Sequence, residues 1–173
     1  MGQFFVSLIA DWLVFVVVAI AGFSLLFLVP NKSKFSVYVR ILVAGLMAYF
    51  TAKVMAMLYQ PTDMRPFEVM GVDPLASYLP NPGFPSDHTV FVWAIMFAVW
   101  FAVKSWKLRL LMLALALSVS FGRVIALVHA PIDVYGGVLA AVVGALVYLP
   151  ESRCFKKQAA LGGDESKKSA GRK

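Results

Sequence analysis

Arg123, His129 and Asp133 form an R-x5-H-x3-D pattern, and the chain's other histidine, His88, lies in the run Phe84-Pro85-Ser86-Asp87-His88-Thr89. Four residues separate His129 from Asp133, a step that brings two side chains together on or entering a helical turn. Asp133 could then accept a hydrogen bond from one ring nitrogen, fixing the tautomer and leaving the other nitrogen unprotonated to attack. A competing reading makes Asp133 an ordinary acidic residue of a first helical turn, favoured by the helix dipole behind Pro131. Ser86 also has two readings. It can cap a hydrophobic helix, or belong to an anion site, because unpaired amides at a helix N-terminus point outward. His88 would stand at the mouth of that site. A third group, Met64-Arg65-Pro66-Phe67, has Lys53 upstream of it.

Three cations, Lys53, Arg65 and Arg123, with a helix N-terminus and two imidazoles, suit a phosphate group better than a neutral solute. The sequence has no P-loop and no close acidic cluster of the kind a two-metal phosphatase uses, although Asp63, Glu68 and Asp73 keep a cation site open. A histidine mechanism without metal or cofactor is the simpler expectation. Cys154 is the single cysteine. It excludes an internal disulfide, and with two histidines it falls short of an ordinary four-ligand zinc site.

The elements that must position these residues are apolar helices. The chain has 173 residues, 61% hydrophobic and 14% charged, with a mean hydropathy of +0.80; a soluble domain carries about 25% charged residues. Apolar runs extend from about Phe4 to Val29, Val37 to Tyr59, His88 to Val103, Leu108 to Val128 and Ile132 to Leu149. A membrane-spanning helix needs roughly 20 apolar residues. The expected fold is therefore an all-α integral membrane bundle of about five transmembrane helices, the third short, with Trp93, Trp100 and Trp106 as candidate interfacial anchors. The first run exceeds a signal h-region, lacks a basic n-region and carries Asp11, so it reads as a retained helix. Residues 1–150 form the membrane domain. The tail 151–173, rich in Lys, Gly, Ser and Ala, buries too little to offset ordering and is expected to be disordered and cytoplasmic.

Five spans place the loop from Gln60 to Asp87 and the His129 turn on one side. Thirteen of the 16 basic residues fall on the other, which the positive-inside rule makes cytoplasmic. The net charge of +7 thus reports sidedness, with some attraction to anionic lipid, and nucleic acid is not an expected partner. Lys53, Arg65 and Arg123 are the exceptions. Inside apolar segments Lys53 and Arg123 either serve a function or snorkel to the interface. The long loop holds six of the nine prolines, which stiffen it.

The ordered set Lys53, Arg65-Pro66, Pro85-Ser86-Asp87-His88 and Arg123-x5-His129-x3-Asp133 resembles the type 2 phosphatidic acid phosphatase family. The form Phe84-Pro85-Ser86-Asp87-His88-Thr89 is most similar to its bacterial undecaprenyl-diphosphatase branch, associated with bacitracin resistance. The resemblance implies that His129 is a nucleophile forming a phosphohistidine and that Asp133 orients it. It implies that His88 protonates the leaving group and then activates water. Lys53, Arg65, Ser86, Asp87 and Arg123 would bind the substrate phosphate. Three departures stand out: Lys53 lies farther from Arg65 than the family's lysine does, Asp87 replaces a widespread glycine, and Gly122 replaces a frequent serine. Many relatives have six spans.

The expected activity is a lipid-phosphate phosphatase of the bacterial cytoplasmic membrane, facing outward and converting undecaprenyl diphosphate to the monophosphate for recycling of the cell-wall carrier. The alternatives are another lipid phosphate (phosphatidylglycerophosphate, phosphatidate or a lipid A phosphate), or a non-catalytic lipid or anion transporter. Gly137, Ala141 and Ala145 would let the last helix pack closely on a neighbour. Asp11, near the outer interface, is read as making a structural polar contact in preference to touching the site.

Overall fold

The computed structural model describes residues 2–61, 64–81 and 83–149; the expected tail and Asp63 lie outside the described residues. Every regular element among those residues is helical. Helix α1 (Gly2–Ser7), a π-helical turn (Leu8–Trp12) and α2 (Leu13–Leu28) follow one another without a break. After a 3-10 turn come α3 (Lys34–Leu58), the short α4 (Pro66–Met70), α5 (Asp87–Ala102), α6 (Trp106–Ile125) and α7 (Pro131–Ala145), with a final 3-10 turn at Leu146–Tyr148.

Four helical stretches, Phe4–Leu28, Asn31–Leu58, Trp106–Ile125 and Pro131–Tyr148, are long and apolar enough to cross a membrane. The chain is a multi-pass membrane protein. Helix α5, with 16 residues, rises about 24 Å against a hydrocarbon thickness of about 30 Å. It is the short third helix expected from the sequence. Mean burial within the long spans is low, as befits helices whose outer faces meet lipid and not water.

Two kinds of packing hold the bundle. Helices α2, α5 and α6 share a core of Val17, Ala21, Val92, Met96, Val99, Met112, Ala116 and Val119. Helix α7 instead approaches its neighbours through small residues. A Cβ on Gly144 would run into the Ala44 carbonyl oxygen and the Ala48 backbone of α3, and one on Gly137 would stand 2.9 Å from Thr89 Cβ and 3.0 Å from Ser86 O of α5. The small-residue stripe therefore serves two neighbours at different heights. Trp93 departs from its expected place at the interface. Its Nε1 donates to Ser120 Oγ at 3.1 Å, tying α5 to α6 inside the bundle. Trp106, 65% exposed, keeps the disposition of an anchor.

Candidate active site

The C-terminal ends of α3 and α6 and the N-terminal ends of α5 and α7 come to one end of the bundle, where the loop from Gln60 to Asp87 covers them. Helices α4 and α7 begin alike, with proline at the first position and an acid at the third. The Arg65 amide donates to Glu68 Oε2 at 2.6 Å, and the Ala130 amide donates to Asp133 Oδ2 at 2.8 Å. Each acid thus satisfies an N–H that the helix start leaves unpaired.

In α7 the same carboxylate oxygen lies 3.3 Å from His129 Nδ1. Both side chains are buried. A carboxylate held by a backbone amide is a fixed acceptor, so it favours the Nδ1–H tautomer and leaves Nε2 with its lone pair. The turn before it is tight. Leu127 takes a left-handed conformation with φ of 60°, which costs a non-glycine residue roughly 1–2 kcal/mol, and the chain then returns so that the His129 amide donates to Arg123 O at 3.3 Å.

Arg65, His88, Arg123 and His129 all line one cavity of about 60 Å³, together with Asn81 and Asp87. That volume has room for a few waters or a compact polar group. The two histidines therefore face a common space. Arg65 is buried and acts as a clasp: its Nη1 donates to Val128 O, and its Nη2 to Leu79 O, Asn81 O and Asn81 Oδ1 at 3.0, 3.1 and 2.9 Å. Arg123, 1% exposed, donates from Nη1 to Asp11 Oδ1 at 2.7 Å and from Nη2 to Ser77 O at 2.8 Å.

Not every expected phosphate ligand takes the same place. Lys53 is not among the residues lining the cavity; its Nζ pairs with Asp87 Oδ1 at 3.3 Å, with both side chains nearly half exposed. Ser86 occupies the N-cap position of α5 but makes no side-chain cap, and its Oγ is buried without a partner. The polar contact of Asp11 is an ion pair with the cavity-lining Arg123; Asp11 itself does not line the cavity. The π-helical turn that carries it is the kind of local interruption often found at functional places, but no short-range signal in the sequence pairs residues 112 positions apart.

Three residues of the site carried no signal in the sequence: Asn81, Ser77 and Gly83. A Cβ on Gly83 would come within 3.1 Å of Asp133 Oδ2 and 3.6 Å of His129 Nδ1, so the bare backbone is what lets the loop lie against the pair.

A second, larger cavity of about 650 Å³ lies between α2, α3 and α5 and is walled by apolar side chains such as Leu25, Leu46 and Ile95. Asp87 borders both cavities. Gly22 and Gly45 line the larger one, and a Cβ on either would meet nothing within 4 Å.

Burial, followed by the neighbouring Arg123 and Arg65, holds the His129 imidazole below its ordinary pKa of 6.5, against the opposing hydrogen bond and charge of Asp133. A lowered pKa means that the neutral ring survives to lower pH and is lost only as pH falls through the depressed value. If neutral His129 is the attacking group, the acid limb of kcat/KM, which reports the free protein, falls below pH 6.5. A limb centred above that value would contradict the assignment.

The site sits at one end of a helical membrane bundle, and the chain belongs to the PAP2 superfamily, which it matches over residues 37–153; members of this family are phosphatases. Among curated relatives, it is 36% identical over 111 residues to "Putative undecaprenyl-diphosphatase YbjG" of Escherichia coli K12, covering 62% of this chain and 53% of that protein. It is also 33% identical over 105 residues to "Bacitracin transport permease protein BcrC" of Bacillus licheniformis, covering 60% of this chain and 50% of that protein. The matches thus span about half the length of each relative. No solved structure matches the chain.

Proposed function

We propose that this protein is a lipid-phosphate phosphatase of the bacterial cytoplasmic membrane, acting on the extracytoplasmic side and hydrolysing undecaprenyl diphosphate to undecaprenyl phosphate and inorganic phosphate. The observation that carries the reading is a small cationic cavity, lined by both histidines, that shares Asp87 with a large apolar groove. A phosphorylated head fits the first and a hydrocarbon chain the second. The sidedness rests on the basic residues of the opposite helix ends, Lys32, Lys34, Lys104, Lys107 and Arg109.

In this mechanism His129 Nε2 attacks the terminal phosphorus, and the bond from phosphorus to the bridging oxygen breaks. Asp133 keeps the proton on Nδ1 and balances the charge of the phosphohistidine. His88 in its protonated form gives its proton to the departing lipid monophosphate, then takes one from the water that attacks the phosphohistidine, releasing phosphate and restoring His129. Arg65 and Arg123 stabilise the equatorial oxygens of the transferring group. Lys53 and Asp87, paired at the border of cavity and groove, receive the head group as it enters.

Phosphate release from undecaprenyl diphosphate, phosphatidylglycerophosphate, phosphatidate and a lipid A phosphate, assayed without added metal, tests substrate and mechanism together. The diphosphate should be turned over fastest, and strict dependence on a divalent ion would overturn the proposed chemistry. The name of the Bacillus relative contains the word permease. A transporter reading predicts lipid binding with no phosphate release from any of the four.

Gly45→Phe tests the groove. The new side chain enters open space at a helical position, so the fold should tolerate it. Displacing even a few methylenes, at about 0.8 kcal/mol each, should lower kcat/KM for undecaprenyl diphosphate more than about tenfold. Hydrolysis of a short-chain, water-soluble prenyl diphosphate should change by less than about threefold. Equal losses on both substrates would remove the groove from the account.

A further inference from the structure

We infer that Asp11 is a positioning residue for the phosphoryl-binding arginine Arg123, an inference that rests on the phosphatase reading above. Asp11 is the only ionisable residue between Phe4 and Leu28, and a charge in such a segment is retained only where it has a partner or a task. It does not line the cavity. Its two carboxylate oxygens are divided between two elements: Oδ1 accepts from Arg123 Nη1 at 2.7 Å and Oδ2 accepts from the Ser77 amide at 2.9 Å. Arg123 Nη2 closes the ring by donating to Ser77 O at 2.8 Å. Carboxylate, guanidinium and loop backbone therefore fix one another.

The local fold explains how an acid in the first span reaches this place. Gly122 precedes Arg123 on α6, and a Cβ there would stand 2.9 Å from Ile9 Cγ2, 3.1 Å from Ala10 N and 3.2 Å from Ala10 Cα. The π-helical turn thus lies against α6 at its one bare position, with Ala10 fully buried, and the next residue on each helix forms the ion pair. The serine that Gly122 replaces in the family pattern would obstruct this approach. The ion pair holds Nη1 and the Ser77 carbonyl holds Nη2, so both terminal nitrogens of the guanidinium lie on the Asp11 and Ser77 side. Nε remains buried with no hydrogen-bond partner, a donor that a phosphoryl oxygen would satisfy. Arg side chains have several rotatable bonds, and fixing one before substrate arrives removes an ordering cost from the transition state.

The test is a double-mutant cycle on the full chain purified in detergent, with orthovanadate binding and turnover of undecaprenyl diphosphate as readouts. Asp11→Asn keeps the size of the side chain and removes its charge. If Asp11 acts through Arg123, Asp11→Asn weakens vanadate binding and lowers kcat by about tenfold or more in the natural background. In an Arg123→Lys background, where the bidentate guanidinium is already gone, it has less than about a twofold further effect. Equal losses in both backgrounds, or no loss in either, would overturn the inference. Another readout needs no double variant: kcat should fall with KM within about threefold and the thermal midpoint near that of the natural protein, whereas a loss matching the fraction unfolded would assign Asp11 a purely structural part. The outcome is separable from the phosphatase reading, because full turnover in His129→Ala would sink that reading whatever the vanadate cycle gives.

Discussion

Replacing His129 with alanine should reduce phosphate release from undecaprenyl diphosphate by about four orders of magnitude or more, the loss expected when the nucleophile itself is removed. Vanadate binding should survive within about tenfold, because Arg65 and Arg123 still border the cavity and supply most of the attraction for an oxyanion. The two measurements together separate a nucleophile from a ligand: a ligand's removal weakens binding and turnover in parallel. Rapid quenching of the natural protein with phosphorus-labelled substrate should trap label that is acid-labile and base-stable, as a phosphoramidate is, and His129→Ala should trap none. Survival of more than about one per cent of turnover in that variant would exclude the covalent route.

Arg65→Lys is the second large effect, although it preserves the charge. Nη1 reaches Val128 O while Nη2 serves Leu79 O and both oxygens of Asn81, a spread that a single ammonium cannot cover. The buried Val128 carbonyl would lose its partner at about 1–3 kcal/mol, and the part-buried oxygens of Leu79 and Asn81 would lose theirs at a smaller cost. The loop would loosen over the cavity, and with it the fixed donors on which phosphoryl transfer depends. Turnover should fall by about 100-fold or more, and the thermal midpoint should drop as well. A variant with natural kcat and midpoint would show that the cation's charge alone matters.

What could be read before any coordinates was local or periodic. Apolar runs mark the helices, and the ends agree to within a few residues, because length and hydropathy are properties of each segment by itself. The His129–Asp133 pair was legible for the same reason: four residues across a helix start put two side chains side by side in almost any context. Contacts between distant segments were not. Nothing near Asp11 announces Arg123, and nothing in Leu79-Pro80-Asn81 announces that its carbonyls would hold a guanidinium. Trp93 shows the opposite failure, since a tryptophan near a helix end suits a membrane interface, yet here its ring nitrogen found Ser120 within the bundle. Gly83 was silent because a glycine in a proline-rich loop already has a local explanation.

The loop is not draped loosely over the histidine turn but sewn to it. The Phe67 amide donates to Leu127 O at 3.0 Å, the Leu75 amide to Ala126 O at 3.2 Å, and Arg65 to the carbonyl of Val128. Three successive residues just ahead of His129 thus act as seams for the roof. A roof stitched to the floor in this way is coupled to it, and lifting it would disturb the His129 imidazole beside its carboxylate. On the proposed phosphatase reading, the lipid head then enters from the side, past the paired Lys53 and Asp87, while its chain stays in the bilayer.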